Sequence, residues 1–293
     1  MKNIYDQINE NKIRSAGIIS LFIAFFITVG YLLSISFNLD YSFLVVAVFF
    51  SAFSSLAGFF YGDQIVLKIN QARPVTREEF FNFYTVVENL SIANQTPAPK
   101  IYVIDSDAPN AFASGRDPQH SVICATTGLI EKLNRTELEA VVAHELSHIK
   151  NYDIRLMTLV SILVGSLSIL INTATRTRLF RKNNDNNQGN GLLTLIGFVL
   201  IIFSPLIAQI IQFAISRRRE YFADASAVKL TRQPQGLIDA LTKISSDNSK
   251  LETASTATAS LYINNPFKGD KLASMFSTHP PIEDRIKVLK EMV

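Results

Sequence analysis

The chain has 293 residues, of which 48% are hydrophobic and 18% are charged, and its mean hydropathy is positive at +0.20. This composition is more apolar than that of an ordinary soluble protein of the same length. The single cysteine, Cys124, excludes an intramolecular disulfide. The net charge of +3 is too small to indicate a nucleic-acid-binding protein, so no nucleic-acid partner is expected.

Four long runs without a charged residue account for the apolar excess. Each run is long enough to cross the hydrocarbon core of a bilayer as a helix, which takes about 20 residues. Buried helices of a soluble core seldom extend so far without a charge, so the sequence predicts a mainly α integral membrane protein embedded in a lipid bilayer. The runs cover residues 15–39, 41–62, 156–175 and 189–216.

Basic residues predict the orientation of these spans. Lys2, Lys12 and Arg14 precede the first run, whereas the link between the first two runs carries no lysine or arginine. The positive-inside rule therefore places the N-terminus and the chain after Gly62 in the cytoplasm. The loop between the third and fourth runs carries three arginines and a lysine, against this rule. Either the first hairpin dominates the orientation, or the second hairpin is only partly embedded.

Between the second and third runs the sequence predicts a small α+β region. A helix is predicted near residues 76–94, followed by strands in KIYVIDS and SVICATTGLI, which are rich in β-branched residues. The next helix carries VVAHELSHIKNYD and is predicted to continue through NYDIR toward the third run. Asn134 and Thr136 are both candidate N-caps, and Thr136 with Glu139 would form a capping box.

The stretch HELSH places His144 and His148 four residues apart, with Glu145 beside the first. On a helix the two histidines share a face and can bind one metal ion, while Glu145, about 100° around the helix, can reach a water molecule on that ion. A catalytic zinc ion takes three protein ligands and keeps a fourth position for water. The motif therefore predicts a zinc ion bound by both histidines, and it requires a third ligand elsewhere in the chain.

The metzincin pattern cannot supply the third ligand, because Asn151 and Ile154 stand where glycine and histidine would be required. The common alternative for hydrolysis is two histidines and a glutamate. Glu220 follows the fourth run, and a hairpin made of the third and fourth runs would return the chain to the side where HELSH lies. Glu220 is therefore the predicted third ligand; the alternative is an ordinary solvated helix face beside a cluster of arginines.

Five features, in this order along the chain, resemble the HtpX family of membrane zinc metallopeptidases, which is related to the CAAX prenyl endopeptidases. They are the N-terminal hairpin and the segments PNAFASG, LEAVVAHELSHIKNYD, SRRREYFADASAV and STHPPIEDRI. The resemblance implies a zincin-like α+β metalloprotease domain with a small β-sheet and one zinc ion. It implies His144, His148 and Glu220 as ligands and Glu145 as catalytic base. It also implies that Asp224 supports a ligating histidine.

The resemblance implies two further parts of the site. PNAFASG is similar to the family's edge strand, so Asn110, Ala111 and Phe112 are expected to align an extended substrate; the alternative is an ordinary turn. STHPPIEDRI resembles the segment that supplies active-site histidine and arginine groups in relatives. We hypothesise that His279 donates a hydrogen bond to the oxyanion while Arg285 orients that group or the substrate; the alternative is a surface histidine and a surface arginine.

These expectations describe a zinc endopeptidase of the cytoplasmic membrane that cuts membrane or misfolded proteins, and its role in membrane protein quality control rests on the resemblance. The alternative is a non-catalytic zinc-binding scaffold or transporter, in which Glu145 would have no chemical role. The catalytic part is expected to face the cytoplasm.

The predicted regions are two N-terminal spans in 1–62, the first part of the protease domain in 63–155, a second hairpin in 156–216 and the rest of the domain in 217–293.

Overall fold

The computed structural model describes residues 4–36, 42–180, 217–255, 257–267 and 280–292. Within these ranges the helices are α1 (Ile4–Ser36), α2 (Ser42–Ile69), α3 (Phe81–Ala93), α4 (Thr127–Lys132), α5 (Arg135–Lys150), α6 (Asp153–Phe180), α7 (Arg217–Thr231), α8 (Pro234–Ser246) and α9 (Ile282–Lys290). The strands are β1 (Arg73–Pro74), β2 (Lys100–Ile104), β3 (Ala111–Asp117) and β4 (His120–Thr126), and a short 3-10 helix covers Ala259–Leu261.

The four strands form one small mixed sheet in the order β1-β2-β4-β3. Strands β2 and β4 are parallel, whereas β1 pairs with β2, and β3 with β4, in antiparallel fashion. The predicted strands in KIYVIDS and SVICATTGLI are therefore confirmed, except that the end of the second one is helix α4. Strand β3 contains most of PNAFASG and lies at the edge of the sheet, where the resemblance implied an edge strand.

Helices cover both faces of this sheet, and the pleat assigns alternate residues to each face. Ile101, Ile123 and other odd-numbered strand residues pack with α3, α5 and α8 in the larger core. Phe112, Cys124 and other even-numbered residues pack with the end of α2 and the start of α6. Because both faces of the sheet are buried, apolar residues follow one another along much of β2 and β4 instead of alternating with polar residues.

Two helices are long and apolar enough to cross a membrane by length and composition, as far as the described ranges extend: Ile8–Thr28 within α1 and Leu44–Ile69 within α2. Large apolar side chains on α2 point outward, with Phe49 71%, Phe53 73% and Leu56 57% exposed. The third predicted run forms part of α6, and the fourth, 189–216, lies outside the described residues.

Helix α2 continues beyond Gly62 into the sheet-bearing part, where Val66 and Leu67 are buried. It approaches α6 closely at a glycine: a Cβ atom on Gly62 would lie 2.6 Å from Thr158 Cγ2. The first turns of α6 are therefore held between α2 and β3, and this fixes the end of α6 that lies nearest to HELSH.

Candidate metal centre and active site

Helix α5 carries HELSH through the middle of the larger core. It begins after Asn134, whose side-chain oxygen accepts from the Glu137 amide at 3.0 Å, while the Glu137 carboxylate accepts from the Asn134 amide at 2.8 Å. The predicted capping box of Thr136 and Glu139 is therefore wrong by two residues, because Asn134 takes the capping position first. Apolar packing on several sides buries His144, Glu145 and His148, whose exposed fractions are 1%, 2% and 4%.

The predicted continuation of this helix toward the third run is also wrong. Helix α5 ends at Lys150, Asn151 is its C-cap, and Tyr152 has a left-handed φ of 60°. A left-handed residue ends a helix and redirects the chain. Asp153 then begins α6 beside the end of α5, and its Oδ2 lies 3.1 Å from His148 Nδ1. Sequence reasoning missed Asp153, although the polar residues that follow HELSH were a signal for a helix end.

Glu220 lies in the first turn of α7, which packs against α5, and it is 1% exposed. Its Oε2 is 3.6 Å from His144 Nε2, its Oε1 is 3.6 Å from His148 Nε2, and the two Nε2 atoms are 3.2 Å apart. Zinc–ligand bonds of about 2.0–2.2 Å in a tetrahedral site separate neighbouring ligand atoms by about 3.3–3.6 Å. Each histidine Nε2 is thus at about this spacing from the other histidine and from one oxygen of Glu220, and the three side chains predicted from the sequence form a candidate metal site.

Carboxylates on the far side of each ring favour the ligating tautomer. His144 Nδ1 lies 2.9 Å from Asp224 Oδ1, and His148 Nδ1 lies 3.1 Å from Asp153 Oδ2. When each Nδ1–H donates to its carboxylate, the two Nε2 lone pairs face each other across 3.2 Å, which is unfavourable without a cation between them. Burial disfavours the protonated ring of His144, but hydrogen bonds to Asp224 and Glu220 outweigh burial and raise its pKa to about 9.

Arg285 holds the Asp224 carboxylate in place through two hydrogen bonds. Its Nε and Nη2 donate to the two carboxylate oxygens of Asp224 at 2.9 and 2.6 Å, and the arginine side chain is fully buried. Burial raises the pKa of Asp224, but Arg285 and His144 outweigh burial and hold that pKa at about 2. Sequence reasoning expected Arg285 to orient the oxyanion or the substrate. Arg285 lies on the Nδ1 side of His144, 3.4 Å from that atom, and its Nη1 is 3.8 Å from Glu220 Oε2, so that it positions Asp224, while its role toward the oxyanion or the substrate stays a prediction.

His279, the predicted oxyanion donor, lies outside the described residues, and its role stays a prediction. The helix that was predicted to begin near Pro281 is α9, which starts at Ile282 with Pro281 as its N-cap.

The predicted substrate residues lie at the start of β3 and are engaged with the segment around residue 263. The Ala111 carbonyl accepts from the Ile263 backbone amide at 3.0 Å, and the side-chain nitrogen of Asn110 donates to the Asn264 carbonyl at 2.9 Å. Phe112 faces the smaller core, between the sheet and helices α2 and α6. Its ring centroid lies 5.1 Å from that of Tyr262, and the two rings meet edge-on.

Two buried histidines and a glutamate, each histidine backed by a carboxylate, define the class of this protein as a metal-dependent hydrolase. Residues 79–293 match peptidase family M48. The protein described as "Protease HtpX homolog" from Dictyoglomus turgidum is 41% identical, with 98% of this chain and 94% of that protein covered. The homolog of the same description from Streptococcus uberis is 39% identical, covering 99% of this chain and all of that protein.

The chain therefore belongs to peptidase family M48 and is a membrane-associated metalloprotease. The resemblance to HtpX proteins is confirmed. The crystal structure of S. mikatae Ste24p has a similar fold, with a TM-score of 0.50 and 22% identity over 97% of this chain and 67% of that one.

Proposed function

We propose that this protein is a zinc-dependent endopeptidase of the cytoplasmic membrane that binds one zinc ion through His144, His148 and Glu220. The main support is the convergence of the two Nε2 atoms and the Glu220 carboxylate at 3.2–3.6 Å, with each Nδ1 already engaged by an aspartate. Such a set suits zinc better than calcium or magnesium, which prefer oxygen ligands.

The chemistry that we propose assigns one task to each buried group. Zinc, when bound, lowers the pKa of its water toward about 7 and polarises the scissile carbonyl. Glu145 accepts the proton of the attacking water and passes it to the leaving amine. Its burial beside His144 supports this assignment, because a carboxylate in a dry site exchanges protons with the reactants rather than with bulk water. Asp224 and Asp153 hold the two rings in the ligating orientation.

For substrate alignment we propose the middle of β3 in place of its first residues. The Ala111 carbonyl and the Gly115 amide both bond to groups outside the sheet, namely the Ile263 amide and the Thr158 hydroxyl. Main-chain groups of alternate residues point to the same side of a strand. Those of Ala113 therefore also point away from β4. A peptide in extended conformation would pair there. We keep the sequence-based proposal that His279 donates a hydrogen bond to the oxyanion.

The membrane setting is also part of the proposal. An apolar α2 surface with Phe49, Phe53 and Leu56 outward is suited to acyl chains, and buried residues on the same helix pack with the protease core. We propose a multi-pass protein whose catalytic domain faces the cytoplasm, where it cuts membrane or misfolded proteins. This location would bring substrates that are anchored in, or fall onto, the inner membrane face to the metal.

Replacement of the base tests the catalytic assignment. Glu145→Gln should lower casein cleavage in detergent by roughly 10²–10⁴-fold, while zinc content stays at one per chain because all ligands remain. Glu139→Gln is the matched control on the same helix, since Glu139 pairs with Arg135 near the surface, and it should retain activity within about twofold of wild type. Activity above about a tenth of wild type in Glu145→Gln would contradict the role of Glu145.

Orientation can be tested by cysteine labelling in intact cells. Lys250→Cys should resist an impermeant thiol reagent until the cells are lysed, whereas Asp40→Cys, in the link predicted to lie outside, should be labelled at once. The unmodified chain is the background control because Cys124 is fully buried. Labelling of Lys250→Cys without lysis would reverse the proposed orientation.

A further inference from the structure

Asn11 is a polar residue on α1 that is 3% exposed although it adjoins the first apolar run. Its side-chain nitrogen donates two hydrogen bonds to residues far away in sequence. One goes to the Asn151 carbonyl at 2.9 Å, and the other to Asp153 Oδ1 at 2.7 Å. An amide that reaches two buried acceptors across about 140 residues of sequence makes a specific contact, because buried polar groups in a folded protein require defined partners.

Both acceptors belong to the support of His148. Asn151 is the C-cap of α5, the helix that carries the two histidines. Asp153 uses its other oxygen, Oδ2, to contact His148 Nδ1 at 3.1 Å. The left-handed residue Tyr152 lies between them, so Asn11 bonds to both sides of the turn that brings Asp153 back to the histidine.

A third segment meets the same carboxylate. Arg219 Nε lies 3.5 Å from Asp153 Oδ1, and Arg219 directly precedes Glu220. The Asp153 carboxylate is therefore surrounded by α1, by α7 and by the metal helix. Of these, α1 supplies the shortest contact, at 2.7 Å. Displacement of α1 would remove that contact and leave Oδ1 with Arg219 at 3.5 Å, so that the carboxylate is held less firmly beside His148.

We propose that Asn11 is a positioning residue of the metal centre: through Asp153 it fixes the orientation of His148, so that docking of the first membrane helix completes the zinc site. The inference rests on the proposed zinc function, because it needs His148 to be a ligand. In this proposal α1 does more than anchor the protein in the membrane. The zinc affinity of the protease domain also depends on the position of α1 against α5 and α6.

The test uses the full-length protein in detergent, with zinc affinity measured by competition with a chromogenic chelator. Asn11→Ala should weaken zinc binding about tenfold, the lower end of the range for loss of a group that orients a ligand. Ser15→Ala, one turn farther along α1, is the matched control because that hydroxyl donates to the Asn11 carbonyl of its own helix at 2.8 Å. It should change zinc affinity by less than twofold. If Asn11→Ala does not fold, Asn11→Leu, which fills the buried volume, replaces it.

A double-mutant cycle separates positioning from general stabilisation. If Asn11 acts through Asp153, Asn11→Ala should have less than a twofold effect in an Asp153→Asn background, and the visible spectrum of the Co²⁺-substituted protein should change alike in both single variants. Equal effects of Asn11→Ala in the two backgrounds would overturn the inference. The inference would also be overturned if Asn11→Ala left the zinc affinity unchanged while His148→Ala abolished zinc binding. In that case the proposed zinc function would stand. A wild-type protein that binds no zinc would overturn both.

Discussion

The two histidines lie one helical turn apart, yet they are supported from opposite ends of the chain. His144 is held by Asp224 and Arg285, which both follow the last predicted membrane run. His148 is held by Asp153, which in turn accepts from Asn11 in α1. Glu220 lies between the two supports, with one carboxylate oxygen toward each ring.

The two supports also differ in chemistry. Asp224 receives two charge-assisted hydrogen bonds from a fully buried arginine, an arrangement that is both strong and geometrically fixed. Asp153 receives a bond from a neutral amide at 2.7 Å, with Arg219 farther away at 3.5 Å. The support of His144 is thus a buried ion pair between two residues of the C-terminal part, whereas the support of His148 includes a hydrogen bond from α1.

Loss of the ligand that both supports share should have the largest effect. Glu220→Ala should weaken zinc binding by more than the roughly 10–100-fold that loss of an outer partner costs, because the set of three ligands is then incomplete. Chelator competition on the full-length protein measures the affinity. Full zinc occupancy at limiting zinc in this variant would place the third ligand elsewhere.

The next largest effect is expected on the His144 side. Asp224→Asn should lower zinc affinity toward the upper end of a roughly 10–100-fold range. It should also lower the free energy of unfolding by about 3 kcal/mol, because the buried Arg285 then keeps only Glu220, 3.8 Å from its Nη1, as a counter-charge. Thermal unfolding of the zinc-free protein measures the second effect, and an unchanged midpoint would show that the Arg285 charge is compensated by another group.

The His148 side should be less sensitive to the same chemical change. Asp153→Asn should lower zinc affinity by about tenfold, with a smaller loss of stability than Asp224→Asn, since its closest donor, Asn11, is neutral. Parallel measurement of the two asparagine variants decides the comparison. A greater loss of affinity or stability in Asp153→Asn than in Asp224→Asn would reverse our ranking of the two supports.

The smallest effect is expected from a change on the metal helix that touches neither support. Asn134→Ala removes the N-cap of α5 and should destabilise the protein by about 1 kcal/mol. Zinc affinity should remain within about twofold of wild type, because His144 lies more than two turns from the cap. The thermal midpoint and chelator competition provide the two readings. A large loss of zinc affinity would mean that the histidines depend on the whole helix rather than on their own partners.

Local spacing was enough to predict the parts of the site that depend on one helix. His144, Glu145 and His148 follow from the i, i+4 geometry, and Glu220 was found from the return of the chain after the fourth apolar run. The strands β2 and β4 were visible because β-branched residues dominate them. The histidine pair and the strands each follow from one physical rule that acts over a short stretch of sequence, whereas Glu220 also required the path of the chain through the second hairpin.

The missed features depend on contacts between distant segments. The turn at Tyr152 was predicted as helix although the polar residues around it are a local signal for a helix end, and the contact between Asp153 and His148 is visible only in the folded chain. Arg285 was expected near the substrate, since nothing in its own segment reveals the buried carboxylate that holds it. Asn11 stood among the polar residues before the first apolar run, and its partners lie about 140 residues away.

Zinc K-edge X-ray absorption of the zinc-loaded, full-length Glu145→Gln protein tests the central claim most directly. We predict two imidazole nitrogens and two oxygens, all at about 2.0–2.2 Å from the metal, and no sulfur. Three or four imidazoles, or a sulfur at about 2.3 Å, would contradict the assignment of His144, His148 and Glu220 as the zinc ligands.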